Sequence, residues 1–554
     1  MIKESLLIPY QAAPLPDASV ILVLAPHPDD EVFGCGGGMA LHVASGGAVH
    51  VVLVTAGDSG GDSTMRLAES AGAARTLGYP APECWGLPDR GVEYGEYLVQ
   101  RIMEKISTSN ATLLYAPSLW ENHPDHRAVA LAALEALRRH GQCGLMAYEV
   151  SAPLRPNRLI DITSVFGKKQ EAAACFPSQL AKQRYDRQIF GLEAFRTYTL
   201  PPEVLSAEGY EYYPAEELCR GAVHFLQSEY QRQHAEGLIF LPGNSPLVSV
   251  MIRSMDRPEL DDALNSVAAQ TWPHVEVVVV NAKGVGHRRL PAWCGRFPLS
   301  FVDSKEPVPR SRAANVAIEH ASGKYLLFLD DDDVVDPDHL AFLVATLEAA
   351  DETVVAYSGV RGLHRGDQKQ NEEIVFADPE ASFAKLLLRN VIPIHAPLFP
   401  ACLLETGARF DEGFHVYEDW DFWLQLARKA PFVFTGHVSA TYFMGGSSGV
   451  CPFGSSSTTQ ADATFALYAK WMGIIGPQEL LGISALFRTS ERGCIGLARD
   501  IEERNSMISE RDRQLYDFAC EVAARKAEID ELYRSKSWRF TAPLRWFNQK
   551  LRGK

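Results

Sequence analysis

The sequence predicts two successive Rossmann-like α/β domains and a helical C-terminal region. Three observations predict this. Short apolar runs alternate with helix-spaced segments from residue 18 onward, the alternation restarts near residue 246, and beyond about residue 455 the strand-like runs give way to helical spacing. The expected division is a first domain at 1–235, a linker at 236–246, a second domain at 247–455 and a helical region at 456–554.

Taken in order, residues 18–26 (ASVILVLAP) form an apolar run ending in proline, the pattern of a buried parallel strand. A Gly-rich turn, GCGGG at 34–38, follows. Its glycines permit close backbone packing rather than phosphate binding, and Cys35 reads as a small buried residue rather than a ligand. A helix-like stretch leads to a second strand, VHVVLVTAG at 49–57. Residues 65–78 have helical spacing and stop at Gly78, and 111–118 give another strand. Residues 124–140 open with proline in the first turn and close on basic residues, as helices prefer. This alternation predicts a parallel sheet with helices on both faces. The linker EGLIFLPGNSP precedes a fresh series, with strands at 246–254, 274–282 and 324–333. From about 496 the chain is highly charged, so 499–533 reads as a long helix or coiled coil.

The 554-residue chain has a formal net charge of −16, which argues against nucleic acid as a partner. Its ten cysteines include no CxxC pair, which argues against a disulfide framework or a structural zinc finger and fits a reducing cytoplasm. The first residues do not resemble a signal peptide, and no apolar run reaches the roughly 18 residues of a transmembrane helix. The tail differs in charge. Between 531 and 554 seven Lys or Arg face one acid, Glu531, with Trp538, Phe540, Trp546 and Phe547 interleaved. That composition suits a helix lying peripherally on the anionic inner face of a membrane, or one docked on the protein's own acidic surface.

Chemistry-bearing residues gather after two strands of the first domain: Pro26-His27-Pro28-Asp29-Asp30-Glu31, and His123-Pro124-Asp125-His126. Taken alone, the second motif also reads as a helix start with a capping Asp and a solvated His. In a parallel α/β sheet both loops fall at the carboxyl edge, where ligands bind. A catalytic zinc takes three protein ligands and keeps an open position for water. His27, Asp30 and His126 supply those three. Asp29 is then placed to take a proton from the bound water, His123 to stabilise an oxyanion or protonate the leaving amine, and Asp125 to orient a histidine.

PHPDDE, HPDH, RLAES (66–70) and LPDRG (87–91) together resemble the PIG-L/LmbE-type deacetylases, over roughly 18–235 and including PNRLIDIT (156–163) and the KKQEA and PSQL segments. The resemblance implies a Zn2+-dependent enzyme that removes acetyl groups from N-acetylglucosamine-type sugars. It also implies zinc on His27, Asp30 and His126, the base on Asp29 and an electrostatic role for His123. Arg66 and Glu69 match a further family position, for substrate or structure; the other reading is an exposed helical ion pair.

In the second domain KYLLFLDDDD ends an apolar strand with Asp330 to Asp333. Clustered carboxylates repel unless a cation joins them, and a hard divalent ion bridging a diphosphate does so. The other reading is a solvated acidic turn. With the segments at 248–284 and 410–427, the stretch 246–445 resembles a family 2 glycosyltransferase of GT-A fold. The resemblance implies a DXD motif at Asp330 and Asp332 that holds Mg2+ or Mn2+ and the sugar nucleotide. It puts the base of an inverting transfer at Asp419, with Glu418 as the rival. Three departures stand out: Asn281 where an acid usually meets the nucleobase, IRSMDR where IPTYNR-like sequences are commoner, and Arg312-Ala313-Ala314-Asn315 in place of an ARN-like segment. Arg310 or Arg312 is expected to approach the diphosphate instead.

The expectation is a bifunctional enzyme of glycan or glycoconjugate biosynthesis. It would act on an N-acetylated sugar and would use a nucleotide-diphosphate sugar with a sugar or lipid-linked acceptor. The alternatives are an active deacetylase carrying a non-catalytic sugar-binding module, and a membrane-associated scaffold.

Overall fold

The computed structural model describes residues 4, 8–218, 230, 232, 235–237, 245–364, 374–444, 458–535, 538, 541 and 543–545. They fall in two compact units, Met1–Lys470 and Trp471–Lys554.

The first unit begins with a seven-stranded sheet: β1 (Val20–Ala25), β2 (Ala48–Thr55), β3 (Glu83–Leu87), β4 (Leu113–Pro117), β5 (Gly144–Tyr148), β6 (Arg158–Asp161) and β7 (Ala207–Tyr213), in the order β3-β2-β1-β4-β5-β7-β6. Helices α1 (Asp30–Ala44), α2 (Ser63–Leu77), α3 (Glu96–Ser109) and α4 (Pro124–His140) connect the parallel strands. Successive β1 residues point to opposite faces. Ile21 and Val23 enter one apolar core, and Leu22 and Leu24 the other. The expected all-parallel sheet needs correction at one edge, because β7 runs antiparallel to both β5 and β6. An apolar run reports burial, not direction, so the pattern alone does not show this.

The glycines at 34–38 do not form a turn but lie inside α1. A side-chain carbon on Gly34 would stand 2.2 Å from the Tyr148 ring, so only glycine lets the helix settle on the sheet. At Cys35 the backbone leaves helical geometry (φ −144°, ψ 20°). The amides of Gly37 and Gly38 each donate at 2.7 Å to the buried Glu208 carboxylate. Glu208 also receives Lys169 Nζ at 2.6 Å.

The second sheet comprises β8 (Val248–Ser254), β9 (Val275–Asn281), β10 (Trp293–Cys294), β11 (Phe297–Val302), β12 (Tyr325–Asp330), β13 (Val334–Val335), β14 (Val355–His364), β15 (Ile374–Phe376), β16 (Pro397–Pro400) and β17 (Phe432–Met444). The order is β10-β11-β9-β8-β12-β16-β14-β17-β13, with β15 on β14. Strands β11, β9, β8 and β12 are mutually parallel, and β16 joins β12 antiparallel. The two α/β parts touch: Asp338 Oδ2 accepts from the Glu96 amide at 2.9 Å, capping α3, and Arg138 lies 3.4 Å from Asp262.

In the second unit a helix of 58 residues runs Pro477–Arg534, starting earlier than the expected 499. Of the tail, Phe540, Trp546, Phe547 and the basic residues at 536, 539, 550, 552 and 554 lie outside the described residues, as does 238–244 of the expected linker. Among the described residues no helix is long and apolar enough to cross a membrane.

Candidate metal centre and transferase site

Strands β1 and β4 are neighbours, so the loops leaving their carboxyl ends meet. His27 Nδ1 lies 3.2 Å from Asp30 Oδ2, His126 Nε2 lies 3.1 Å from the same oxygen, and the two ring nitrogens are 3.3 Å apart. A tetrahedral ion with bonds of about 2.0–2.1 Å sets its ligands about 3.3 Å apart, so the three predicted ligand atoms fit a zinc-sized dication.

Carboxylates surround the two imidazoles. His27 Nε2 faces Asp125 Oδ2 at 3.1 Å and Asp89 Oδ1 at 3.2 Å, and His126 Nδ1 stands 3.2 Å from Glu121 Oε2. Against their burial, Asp125 and Asp30 push His27 up to about 9, while Asp30 and Glu121 push His126 up to about 10. The excess of negative charge favours a dication. Asp125 is held by the Arg90 and Val92 amides at 2.7 and 3.2 Å. Glu121 is held by the amides of Val150 and Ser151. Asp89 and Glu121 were not singled out from the sequence. Asp89 lies in the LPDRG segment; nothing local marks Glu121.

Asp29 sits at φ 123°, a conformation that costs a non-glycine residue about 1–3 kcal/mol and persists only when its surroundings over-determine it. Here its amide donates to Glu31 Oε2 at 2.9 Å, its carbonyl accepts the first helical amides of α1, and its carboxylate meets Arg66 Nη2 at 3.1 Å. Burial and the neighbouring Asp30 raise the Asp29 carboxyl well above the usual range, with Arg66 opposing. Arg66 is therefore not half of an exposed pair with Glu69. It is buried and also donates to the Gly57 and Pro28 carbonyls, whereas Glu69 accepts from Ser178. Gly57 has φ 69°, and any side chain there would collide with the Arg66 guanidinium.

His123 caps α4, its Nδ1 accepting from the Asp125 amide at 3.2 Å, and its ring stands edge-on to His27 at 4.7 Å. Partial burial and the neighbouring His27 and His126 lower its pKa, which favours the neutral imidazole.

In the second sheet β8 and β12 are parallel neighbours with Arg253 in register with Asp330. Asp330, Asp332 and Asp333 each bring a carboxylate oxygen within 4.8 Å of the other two. Asp331 points elsewhere, accepting from the Met255 amide at 2.6 Å and from Arg257. A turn closed by the Asp333 amide on the Asp330 carbonyl returns Asp333 to the cluster, an addition to the predicted Asp330 and Asp332. Burial and repulsion from Asp333 and Asp330 push Asp332 up to about 6, the condition of a carboxylate group that suits a hard cation. Buried His395 lies 3.2 Å from Asp333.

Glu418 and Asp419 open the helix Glu418–Ala427. Glu418 is buried and paired with Arg253 at 2.9 Å. Asp419 is half-buried and accepts from Asn390 at 3.1 Å; burial and Glu418 push it up to about 6. The structure also shows where Asn281 and the two arginines stand. The Asn281 side-chain amide donates to Gly284 O, Asp303 Oδ1 and Ser304 O, which makes it a brace for the turn after β9. Arg312 lies 3.4 Å from Glu412 and 3.6 Å from Glu319, whereas the charge of Arg310, against burial and after that of Arg253, helps to lower the Asp330 pKa.

Residues 22–137 match the GlcNAc-PI de-N-acetylase (PIG-L) family, and residues 249–400 match glycosyl transferase family 2. The chain is 24% identical over 187 residues to YwdF, an uncharacterized glycosyltransferase of Bacillus subtilis, covering 33% of this chain and 68% of that one. It is 29% identical over 208 residues to the uncharacterized glycosyltransferase RP339 of Rickettsia prowazekii, covering 35% of this chain and 63% of that protein's length. It is 26% identical over 199 residues to the diacetylchitobiose deacetylase of Thermococcus kodakarensis, covering 31% and 74% respectively. The chain thus carries a PIG-L-type deacetylase domain followed by a family 2 glycosyltransferase domain. Glu418 and Asp419 lie beyond the second matched stretch.

Proposed function

We propose that the chain is a bifunctional enzyme of glycan or glycoconjugate biosynthesis. The first domain hydrolyses the acetamide of an N-acetylglucosamine-type sugar with zinc held by His27, Asp30 and His126. The second transfers a sugar from a nucleotide-diphosphate donor, with inversion, using Mg2+ or Mn2+ at Asp330, Asp332 and Asp333. The observation that carries the first half is the triangle of two imidazole nitrogens and one carboxylate oxygen at 3.1–3.3 Å.

A zinc ion bound there supplies Lewis acidity and a water acidic enough to attack near neutral pH. Asp29, held by Arg66, takes the proton as the water oxygen bonds to the acetyl carbon. Neutral His123 faces the developing oxyanion. As the C–N bond breaks, Asp29 returns the proton to the nitrogen, leaving acetate and the free amine. In the second domain Asp419, with its raised pKa, takes the proton of the acceptor hydroxyl as that oxygen attacks the anomeric carbon and the nucleoside diphosphate leaves.

Mass spectrometry of the purified protein with N-acetylated sugar nucleotides and lipid-linked sugars tests both halves. Loss of an acetyl group that stops on chelation, and release of a nucleoside diphosphate with gain of a sugar on an acceptor, are the expected outcomes. A zinc-loaded protein that cleaves none of the acetamides would overturn the first half.

A further inference from the structure

We propose that Arg253 is a positioning residue of the transferase site, clamping the leading aspartate of the cation-binding cluster and the helix that carries the general base into one rigid unit. The proposal rests on the transferase reading above and adds a residue to it.

Arg253 is the penultimate residue of β8, and its side chain is 4% exposed. Parallel register sets it beside Asp330, whose two oxygens it grips: Nε and Nη2 reach Oδ1 at 3.0 and 2.7 Å, and Nη2 reaches Oδ2 at 3.0 Å. The remaining nitrogen, Nη1, donates to Glu418 Oε1 at 2.9 Å. One planar guanidinium therefore joins carboxylates from two elements. Its fork fixes the angle between them, as a lysine ammonium, a point charge without a fork, would not.

The position of the clamp separates it from an ordinary buried ion pair. On one side it fixes Asp330, a carboxylate oxygen of which lies within 4.8 Å of oxygens of Asp332 and Asp333. On the other it holds Glu418, the residue next to Asp419, so the distance from cation site to base is set through a single side chain. The backbone at Tyr417, just before Glu418, is left-handed (φ 66°), so the entry to this helix is held away from its relaxed conformation. Where IPTYNR-like strands carry proline, this chain has Arg253, and a proline there has neither the charge nor the reach to make the link.

Misplacement of a reacting group by about 1 Å costs about a hundredfold in rate, whereas binding of the nucleotide alone does not require the base. The test begins by finding which of UDP, GDP, dTDP or ADP binds the wild-type chain with Mn2+, by calorimetry. Nucleotide release from the corresponding sugar nucleotide is then followed in wild type, Arg253→Lys, Glu418→Leu, which removes the acceptor of Arg253 Nη1, and the double variant. Expected for Arg253→Lys is a kcat lowered about a hundredfold, with Mn2+ and nucleotide affinities within about threefold and the melting temperature little changed. The double variant should be no slower than the slower single one, because both changes break the same link. Unchanged kcat, strictly additive losses, or loss of affinity, turnover and melting temperature together would each overturn the clamp. If Arg253→Lys does not fold, Glu418→Leu decides: kcat must fall with affinity kept and with its decline at acid pH retained, since a variant that had lost the base itself would lose that decline. A wild-type chain that binds no nucleotide would sink the transferase reading itself, a result distinct from failure of the clamp.

Discussion

Replacing Glu121 with glutamine perturbs the first centre without touching a proposed ligand. When His126 offers Nε2 to a metal, its proton sits on Nδ1, which lies 3.2 Å from Glu121 Oε2, close enough for attraction though not aligned as a hydrogen bond. Oε1 accepts from the Val150 amide at 2.7 Å, and Oε2 from the Ser151 amide at 3.0 Å. Glutamine has one oxygen and one NH2. With the NH2 toward Val150, two donors oppose each other; with it toward His126, the NH2 meets the Nδ1 proton. Neither orientation restores what the carboxylate does. Loss of such an outer partner typically costs 10–100-fold in metal affinity, about 1.4–2.7 kcal/mol. Competition against a chromogenic chelator, with zinc content measured independently, reads this directly. A zinc affinity within twofold of wild type, in a protein that binds one zinc per chain, would refute the reasoning that His126 is oriented by Glu121.

Three further outcomes follow. Asp29→Asn removes the proposed base and should lower deacetylation about 10²–10⁴-fold with zinc content unchanged; loss of zinc would mean that Asp29 is a ligand. The kcat of transfer should fall as pH drops through about 6, where Asp419 gains its proton and can no longer accept one; a rate flat from pH 7 to 5 would exclude Asp419 as the base. Asp338→Ala removes the acceptor at the start of α3 and should lower stability by about 0.5–2 kcal/mol, read by denaturant unfolding of the full chain; no change would mean that contact is not made in solution.

The parts legible in the sequence are those with local causes. Pro124 opens α4 and Arg138, Arg139 and His140 close it, because a proline suits the first turn and positive charge the carboxyl end of a helix. The spacing of His123, Asp125 and His126 follows from that start, and two motifs after strands at one sheet edge bring His27, Asp30 and His126 together. The close packing expected of the glycines at 34–38 holds, but their place inside a helix rather than a turn is not legible, because the neighbours that require them, Tyr148 and Glu208, are more than a hundred residues away. Arg310 and Arg312 are two residues apart on one helix, so they face different directions, and only the docking of that helix decides which one's charge is felt at Asp330. Asp331 is lost to the cluster and Asp333 gained through a turn that a run of four identical residues does not reveal.

The two centres share a position in their folds and differ in how they are built. Each stands at the carboxyl ends of two adjacent parallel strands, β1 and β4 in one, β8 and β12 in the other. The first places nitrogens inside a ring of carboxylates that are themselves fixed by backbone amides, so its ligand triangle is set whether or not substrate is present. Two imidazoles and one carboxylate, with the fourth position left open for water, suit a resident zinc. The second offers only oxygens, and one of its three acids, Asp330, already faces the Arg253 guanidinium. An all-carboxylate cluster partly neutralised by arginine holds a hard cation weakly by itself and strongly once phosphate oxygens complete the shell. The proposed chemistry follows the same division. Hydrolysis of an acetamide needs its Lewis acid before substrate arrives, whereas transfer from a nucleotide sugar needs the cation only while the diphosphate is bound. Metal content after extensive dialysis should therefore be one zinc per chain and no magnesium or manganese; retention of two tightly bound ions would contradict this account of the second centre.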